Sequence, residues 1–188
     1  MKTPIIKTIY AEKAIPGLKK DLGIKNAMAL PRLSKVVVNV GVGKILKDQK
    51  RVEEVVRSLE IITGQKVIMT KARKAIAGFK TREGLEIGAR VTLHGTRMWA
   101  FLDRLFHIAL PRVRDFQGIP KSAIDQSGNC NLGIKDHTIF SEIVPEKVQH
   151  IFSFQVNIVT TAKDRKEGET LFRLLGLPLQ TEEDKQER

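Results

Sequence analysis

The sequence has a single cysteine, Cys130, so no disulfide can form within the chain and nothing argues for an oxidising compartment. No window approaches the roughly 18 to 20 consecutive apolar residues of a membrane span, and Met1 to Lys7 opens no charged-then-apolar leader. Secretion and membrane insertion are thus disfavoured, and the chain reads as cytosolic. Aromatic residues are scarce, at 5% with one Trp and one Tyr, which disfavours a sheet that stacks unpaired bases. Tandem repeats, low-complexity tracts and Ser/Gly linkers are also missing. Acidic residues are outnumbered, with 21 Asp and Glu against 33 Lys and Arg, for a formal charge of +12. What is present, 41% hydrophobic residues in a chain of 188, suffices for one compact unit with a buried core. Residues 1–180 read as a single domain, and residues 181–188 as an acidic, disordered tail.

The positive charge is concentrated. Between Gln65 and Arg90 lie Lys66, Lys71, Arg73, Lys74, Lys80, Arg82 and Arg90 against only Glu83 and Glu86. Such a cluster reads as a footprint for phosphate, because each neutralised phosphate releases condensed counterions. A solvated basic loop is the alternative reading.

Short helices are expected around Ile6 to Ile15 and from Pro16 to Leu22, the second closed by Gly23. Val36, Val38 and Val40 point to one side of a strand, with Val37 and Asn39 on the other. Asp48 caps a helix whose apolar stripe is Val52, Val55, Val56, Leu59 and Ile62, and Gly64 ends it. Lys66 to Thr70 forms a second strand, followed by a basic loop from Lys71 to Gly84. A third strand carries Ile87, Ala89, Val91 and Leu93 inward with Arg90, Thr92 and His94 outward. Met98 to Ala109 repeats the helical stripe up to Pro111. From Pro111 to Ile143 the pattern weakens to short strands and turns, and an extended surface excursion is expected. Phe152 to Val159 alternates as a strand, and Asp164 with Glu167 makes a capping-box pattern for a last helix closed by Gly176. The class is α+β, a largely antiparallel sheet with helices packed on one face.

Catalytic chemistry finds no constellation. Gly41-Val42-Gly43-Lys44 lacks the spacing and the Ser or Thr of a phosphate loop, and is a strand-ending turn. His94, His107, His137 and His150 are scattered without metal-ligand spacing. Cys130 reads as a small, partly buried residue, and Glu53 and Glu54 as carboxylates of a solvent face. No cofactor, metal or catalytic residue is expected.

The outward strand positions Asn39, Arg90, Thr92, Ser153, Gln155 and Asn157 offer short hydrogen-bonding groups suited to ribose hydroxyls and base edges in a shallow A-form groove. An ordinary wet sheet face is the alternative. In the basic loop, Ile76 and Phe79 stand among Arg73, Lys74, Lys80 and Arg82, so the loop could reach a second phosphate backbone; otherwise it is a hairpin tip with Phe79 folded back on the core.

These residues resemble the family of bacterial large-subunit ribosomal protein five. The likeness runs from about Tyr10 to Leu175, through Asn39-Val40-Gly41-Val42-Gly43, Thr63-Gly64-Gln65-Lys66, Thr70 to Lys80, Arg90-Val91-Thr92-Leu93, Arg97-Met98-Trp99, Pro111 to Phe116 and Thr160-Thr161-Ala162-Lys163. The resemblance implies a non-catalytic ribosomal RNA-binding domain over residues 1–180, whose polar sheet surface faces 5S rRNA in the central protuberance. It implies contacts from Asn39, Gln65 and Thr92, beside which Arg90 is an expected contact from its outward place. It further implies that a loop carrying Arg73, Lys74, Gly78, Phe79, Lys80 and Arg82 looks toward peptidyl-site tRNA. Helical 23S rRNA, and a small-subunit head protein reached across an intersubunit bridge by the segment after Phe116, are the other implied partners. Cys130 departs from the family, which often has an aromatic residue there, and the acidic tail extends beyond the usual end.

Overall fold

A computed structural model describes residues 4–180, apart from Lys47, Lys80 and Asp115. The acidic tail, residues 181–188, and Lys80 of the basic loop therefore lie outside the described residues.

The chain begins with α1 (Ile5–Ile9), runs through a π turn at Tyr10–Ala14 and continues as α2 (Ile15–Leu22), which Gly23 ends at φ +65°. The two expected short helices are thus one helical run. Pro16 has no N–H to give the Glu12 carbonyl and its ring crowds that carbonyl, which the wider π turn just before it accommodates. The same pairing recurs where α4 (Gly95–Arg104) passes into a π turn at Leu105–Ala109 ahead of Pro111. Between them lie β1 (Leu33–Gly41), α3 (Gln49–Thr63) and the β2–β3 pair (Ile68–Lys71 and Glu86–Leu93). Asp48 caps α3 by accepting from the Arg51 N–H at 3.3 Å, and Gly64 ends it at φ +64°. The chain closes with β4 (Cys130–Ile134), β5 (Phe154–Thr160) and α5 (Arg165–Leu174). The expected capping box does not form: the Asp164 side chain caps nothing, and Glu167 accepts instead from the N–H of Lys163, one residue before the cap, at 2.9 Å.

All five strands join one antiparallel sheet in the order β2-β3-β1-β5-β4. Its inner face presents Val36, Val38, Val40, Ala89, Val91, Leu93, Val156 and Ile158, all buried. Against it pack α3 beside β3 and α4 beside β1, with α1 on α4 and α2 on α5. Leu59, Ile62, Phe101, Leu102 and Leu105 fill the layer between, completely enclosed. Each such side chain contributes roughly 1.5–3 kcal/mol by leaving water. The helices lie on one side, and among the described residues the other side of the sheet stays open.

The stretch from Pro111 to Ile143 is no surface excursion. It supplies β4 and buries Ile119, Ile124, Leu132, Ile134, Ile139, Phe140 and Ile143. Its apolar residues come in pieces of a few residues separated by turns, too short for a period to register. The following turn is strapped to α3: Glu54 accepts from the Gln149 N–H at 2.9 Å and pairs with His150 Nδ1 at 3.0 Å. Glu54 is thus a tie rather than a solvent-face carboxylate. His137 is buried under Phe152, ring centroids 4.0 Å apart, so β5 starts only at Phe154 and Ser153 falls outside the strand.

Candidate nucleic-acid interface

Antiparallel register places the open-face residues in rows across the strands. Ile68, Arg90, Asn39, Gln155 and Gly133 form one row spanning all five. Thr92, Val37, Asn157 and Asn131 form the next. With strands about 4.8 Å apart, the five-strand row is roughly 19 Å wide. The middle of this surface is amide-rich, and the Asn157 side chain donates to that of Asn131. Gly41 and Gly133 leave bare backbone at its ends, where an added Cβ would meet nothing within 4 Å. Gly88 is different: a Cβ there would sit 2.6 Å from Thr70 Oγ1 and 3.3 Å from the Val40 carbonyl oxygen, so strand packing itself requires the glycine.

Asn39 and Arg90 are direct cross-strand partners, and Thr92 lies two residues further along β3. Among the described residues, the Asn39 amide and the Arg90 guanidinium have no hydrogen-bond or ion-pair partner within the chain. Gln65 joins them from the connection after α3, where its Nε2 donates to the Thr92 carbonyl at 3.0 Å and its Oε1 accepts from Arg97 at 3.3 Å. Asn39, Arg90 and Thr92 therefore share the β1–β3 part of the face, and Gln65 sits beside them at the Thr92 end of β3. Strand parity alone identifies Asn39, Arg90 and Thr92. Gln65 carries no periodic signal, because the tertiary return of its connection to β3 brings it there. Reading residue by residue also missed Arg97, whose motif gave no hint of its reach, and Asn131, because β4 is too short to register.

The basic loop leaves the opposite end of β3. Ala72 and Leu85 close its base through an N–H to carbonyl bond of 2.8 Å, and Ile76 and Thr81 bridge near its tip. Phe79 is 78% exposed, so it is not folded back on the core; the Ile76–Thr81 bridge pinches the tip and turns the ring outward. Arg73, Lys74, Gly78 and Arg82 are exposed beside it. Six residue steps along β3 separate Glu86 from Thr92, roughly 20 Å, so loop and convergent cluster are separate surfaces.

Catalytic alternatives gain nothing from the geometry. Burial, with a smaller effect from the Asp125 charge, pushes the Cys130 thiol up to about 12, so no thiolate forms at neutral pH. Its side chain faces the core. Among the described residues, no group of three or more His, Cys, Asp or Glu is placed to hold a metal ion. No helix among them is long and apolar enough to cross a membrane.

Two family models match: one described as ribosomal protein L5, over residues 26–82, and one describing the C-terminus of that ribosomal family, over residues 86–179. The large ribosomal subunit protein uL5 of Solidesulfovibrio magneticus is 50% identical over 173 residues, covering 92% of this chain and 97% of the relative. That of Mesoplasma florum is 48% identical over 92% of this chain and 96% of its own. That of Kocuria rhizophila is 45% identical over 95% of each. Models on both halves and relatives matched nearly end to end leave one conclusion: the chain belongs to the ribosomal protein L5 family, structural and non-enzymatic components of the ribosome.

Proposed function

We propose that the open sheet face docks 5S rRNA, with Asn39, Gln65, Arg90 and Thr92 as contact residues, and that residues 1–180 act as one RNA-binding domain. The chain is a structural constituent of the large ribosomal subunit, and its location is that of the bacterial ribosome, the cytoplasm. The observation that carries the finer reading is the cluster on the β1–β3 side, where, among the described residues, an amide and a guanidinium stand without partners on a face that carries no aromatic side chain. Short polar groups on a broad, gently twisted surface suit the shallow groove of helical RNA, where shape and ribose hydroxyls are read.

The exposed loop supports a second contact. Arg73, Lys74, Gly78, Phe79, Lys80 and Arg82 would meet peptidyl-site tRNA, the cations holding backbone phosphate and Phe79 offering a stacking or packing edge. Helical 23S rRNA, and a small-subunit head protein met across an intersubunit bridge by the segment after Phe116, complete the proposed surroundings. The mechanism is positioning, in which a rigid fold holds several RNAs in fixed relation.

Competition tests the reading. The full chain should retain 5S rRNA at moderate salt against an excess of unrelated structured RNA, and Asn39→Ala with Thr92→Ala should erase that preference. Binding that collapses with salt and discriminates nothing would mark a general nucleic-acid chaperone instead.

A further inference from the structure

The β3–α4 junction carries a cation whose setting the family reading does not use. At Gly95, with φ +54°, the chain turns sharply from β3 into the first turn of α4, and Arg97 reaches Gln65 beside the Thr92 end of β3. There one terminal nitrogen of its guanidinium, Nη1, donates to Gln65 Oε1 at 3.3 Å, while the other end of the same amide holds the Thr92 carbonyl at 3.0 Å. Arg97 is exposed, and among the described residues it has no carboxylate partner. In this it differs from Arg51, Arg104 and Arg173, which are paired with Asp48, Glu142 and Glu169.

A carboxylate partner would fix the guanidinium and cancel its charge together. A neutral amide orients the fork and leaves the charge whole, with further N–H donors free. Such a group is pre-organised for an anion that takes two parallel hydrogen bonds, and at the edge of an RNA-docking face that anion is a backbone phosphate. We propose that Arg97 is a phosphate anchor of the 5S rRNA face and, through the shared hydrogen bond, the positioning residue for Gln65. This rests on the proposed docking of RNA to the open face. It adds the place where the RNA backbone crosses, over the Gln65–Thr92 end of β3.

The test measures affinity of the full chain for 5S rRNA across a salt series, for wild type, Arg97→Ala, Arg97→Lys, Gln65→Ala and the Arg97→Ala/Gln65→Ala double variant, each checked for unchanged thermal unfolding. Losing one phosphate contact should reduce the slope of log affinity against log salt by about 0.7–0.9. Arg97→Ala should show that reduction and bind at least tenfold more weakly at low salt. Arg97→Lys should keep the wild-type slope, since a point charge also releases a counterion, yet remain weaker because it lacks the fork. Gln65→Ala should leave the slope unchanged, and Arg97→Ala should cost less in its background than in wild type. A wild-type slope and affinity in Arg97→Ala would overturn the anchor, and strictly additive losses would overturn the positioning role. Failure of wild type to prefer 5S rRNA over unrelated structured RNA is a separate outcome. It defeats the 5S reading, whereas the slope of Arg97→Ala measured on the competitor RNA still decides whether this arginine meets phosphate.

Discussion

Asn39→Ala probes the docking face at its centre. Asn39 lies in the middle strand, between Arg90 and Gln155 in the row that crosses the whole sheet. Its backbone is held on both sides by ladder hydrogen bonds, and among the described residues its amide bonds to nothing in the chain. Removing the amide therefore breaks no internal contact, and the folded state should lose less than about 1 kcal/mol, the scale of strand propensity. In the proposed complex the amide would be enclosed, and its loss would strand RNA donors and acceptors that water no longer reaches. That cost is about 1–3 kcal/mol, or about 5- to 150-fold in Kd at 1.4 kcal/mol per decade. Val38→Ala next door is the mirror control: Val38 is fully buried on the helix side, so it should cost roughly 1.5–3 kcal/mol of stability and leave RNA affinity untouched. Urea unfolding and a fluorescence binding titration on both variants separate the two effects. Equal affinity of Asn39→Ala and wild type, with Thr92→Ala also silent, would refute the assignment of this face.

Neutralising Arg73, Lys74, Lys80 and Arg82 together should barely change 5S rRNA affinity, because the loop leaves the far end of β3, but should weaken tRNA retention in assembled ribosomes; loss of 5S binding would mean that loop and face form one site. Acid should loosen the strap over α3. Partial burial raises the Glu54 carboxyl, but hydrogen bonds from His150 and Gln149 outweigh it and hold Glu54 below the ordinary carboxylate range. Burial holds the His137 imidazole below its usual value, against the opposing pull of Asp136 and Glu54. Both depressed values give stability that is present above the unfolded-state pKa and lost on acidification, from about pH 6.5 downward for His137 and through the carboxylate range for Glu54. Hydrogen-exchange protection factors, corrected for the pH dependence of intrinsic exchange, should fall at the amides of Gln149, His150 and Phe152 over that window before global unfolding, and Glu54→Gln should remove the lower part of the response. Gly168→Ala should destabilise the fold by about 1–3 kcal/mol, because a Cβ there would lie 2.5 Å from the Gly128 Cα; an unchanged urea midpoint would contradict the close approach of α5 to that turn.

The elements with a long, clean period were legible from residues alone. Val36 to Val40, Ala89 to Leu93 and the α3 stripe each repeat long enough for one face to declare itself, and Asn39, Arg90 and Thr92 follow from parity once their neighbours are inward. Legibility fails where tertiary contacts decide. Phe152 and Ser153 continue the alternation of β5, yet Phe152 turns to cover His137 and the strand begins two residues later. β4 owes its conformation to pairing with β5, since Asn131 and Gly133 favour a strand poorly by themselves. Gln65 reaches the face through its bonds to Thr92 and Arg97, which no spacing encodes, and only likeness to the family pointed to it. The sharpest misreading, the stretch from Pro111 to Ile143, hides core residues between turns.

The central claim is that 5S rRNA sits on the open face, and two-dimensional NMR of the full chain titrated with 5S rRNA tests it most directly. The side-chain amides of Asn39, Gln65 and Asn157, with the backbone amides of Arg90, Thr92 and Gln155, should shift or broaden first, while those of Arg73 to Arg82 and of α3 hold still. Perturbation confined to the loop or to the helical side, with the face unchanged, would contradict the account.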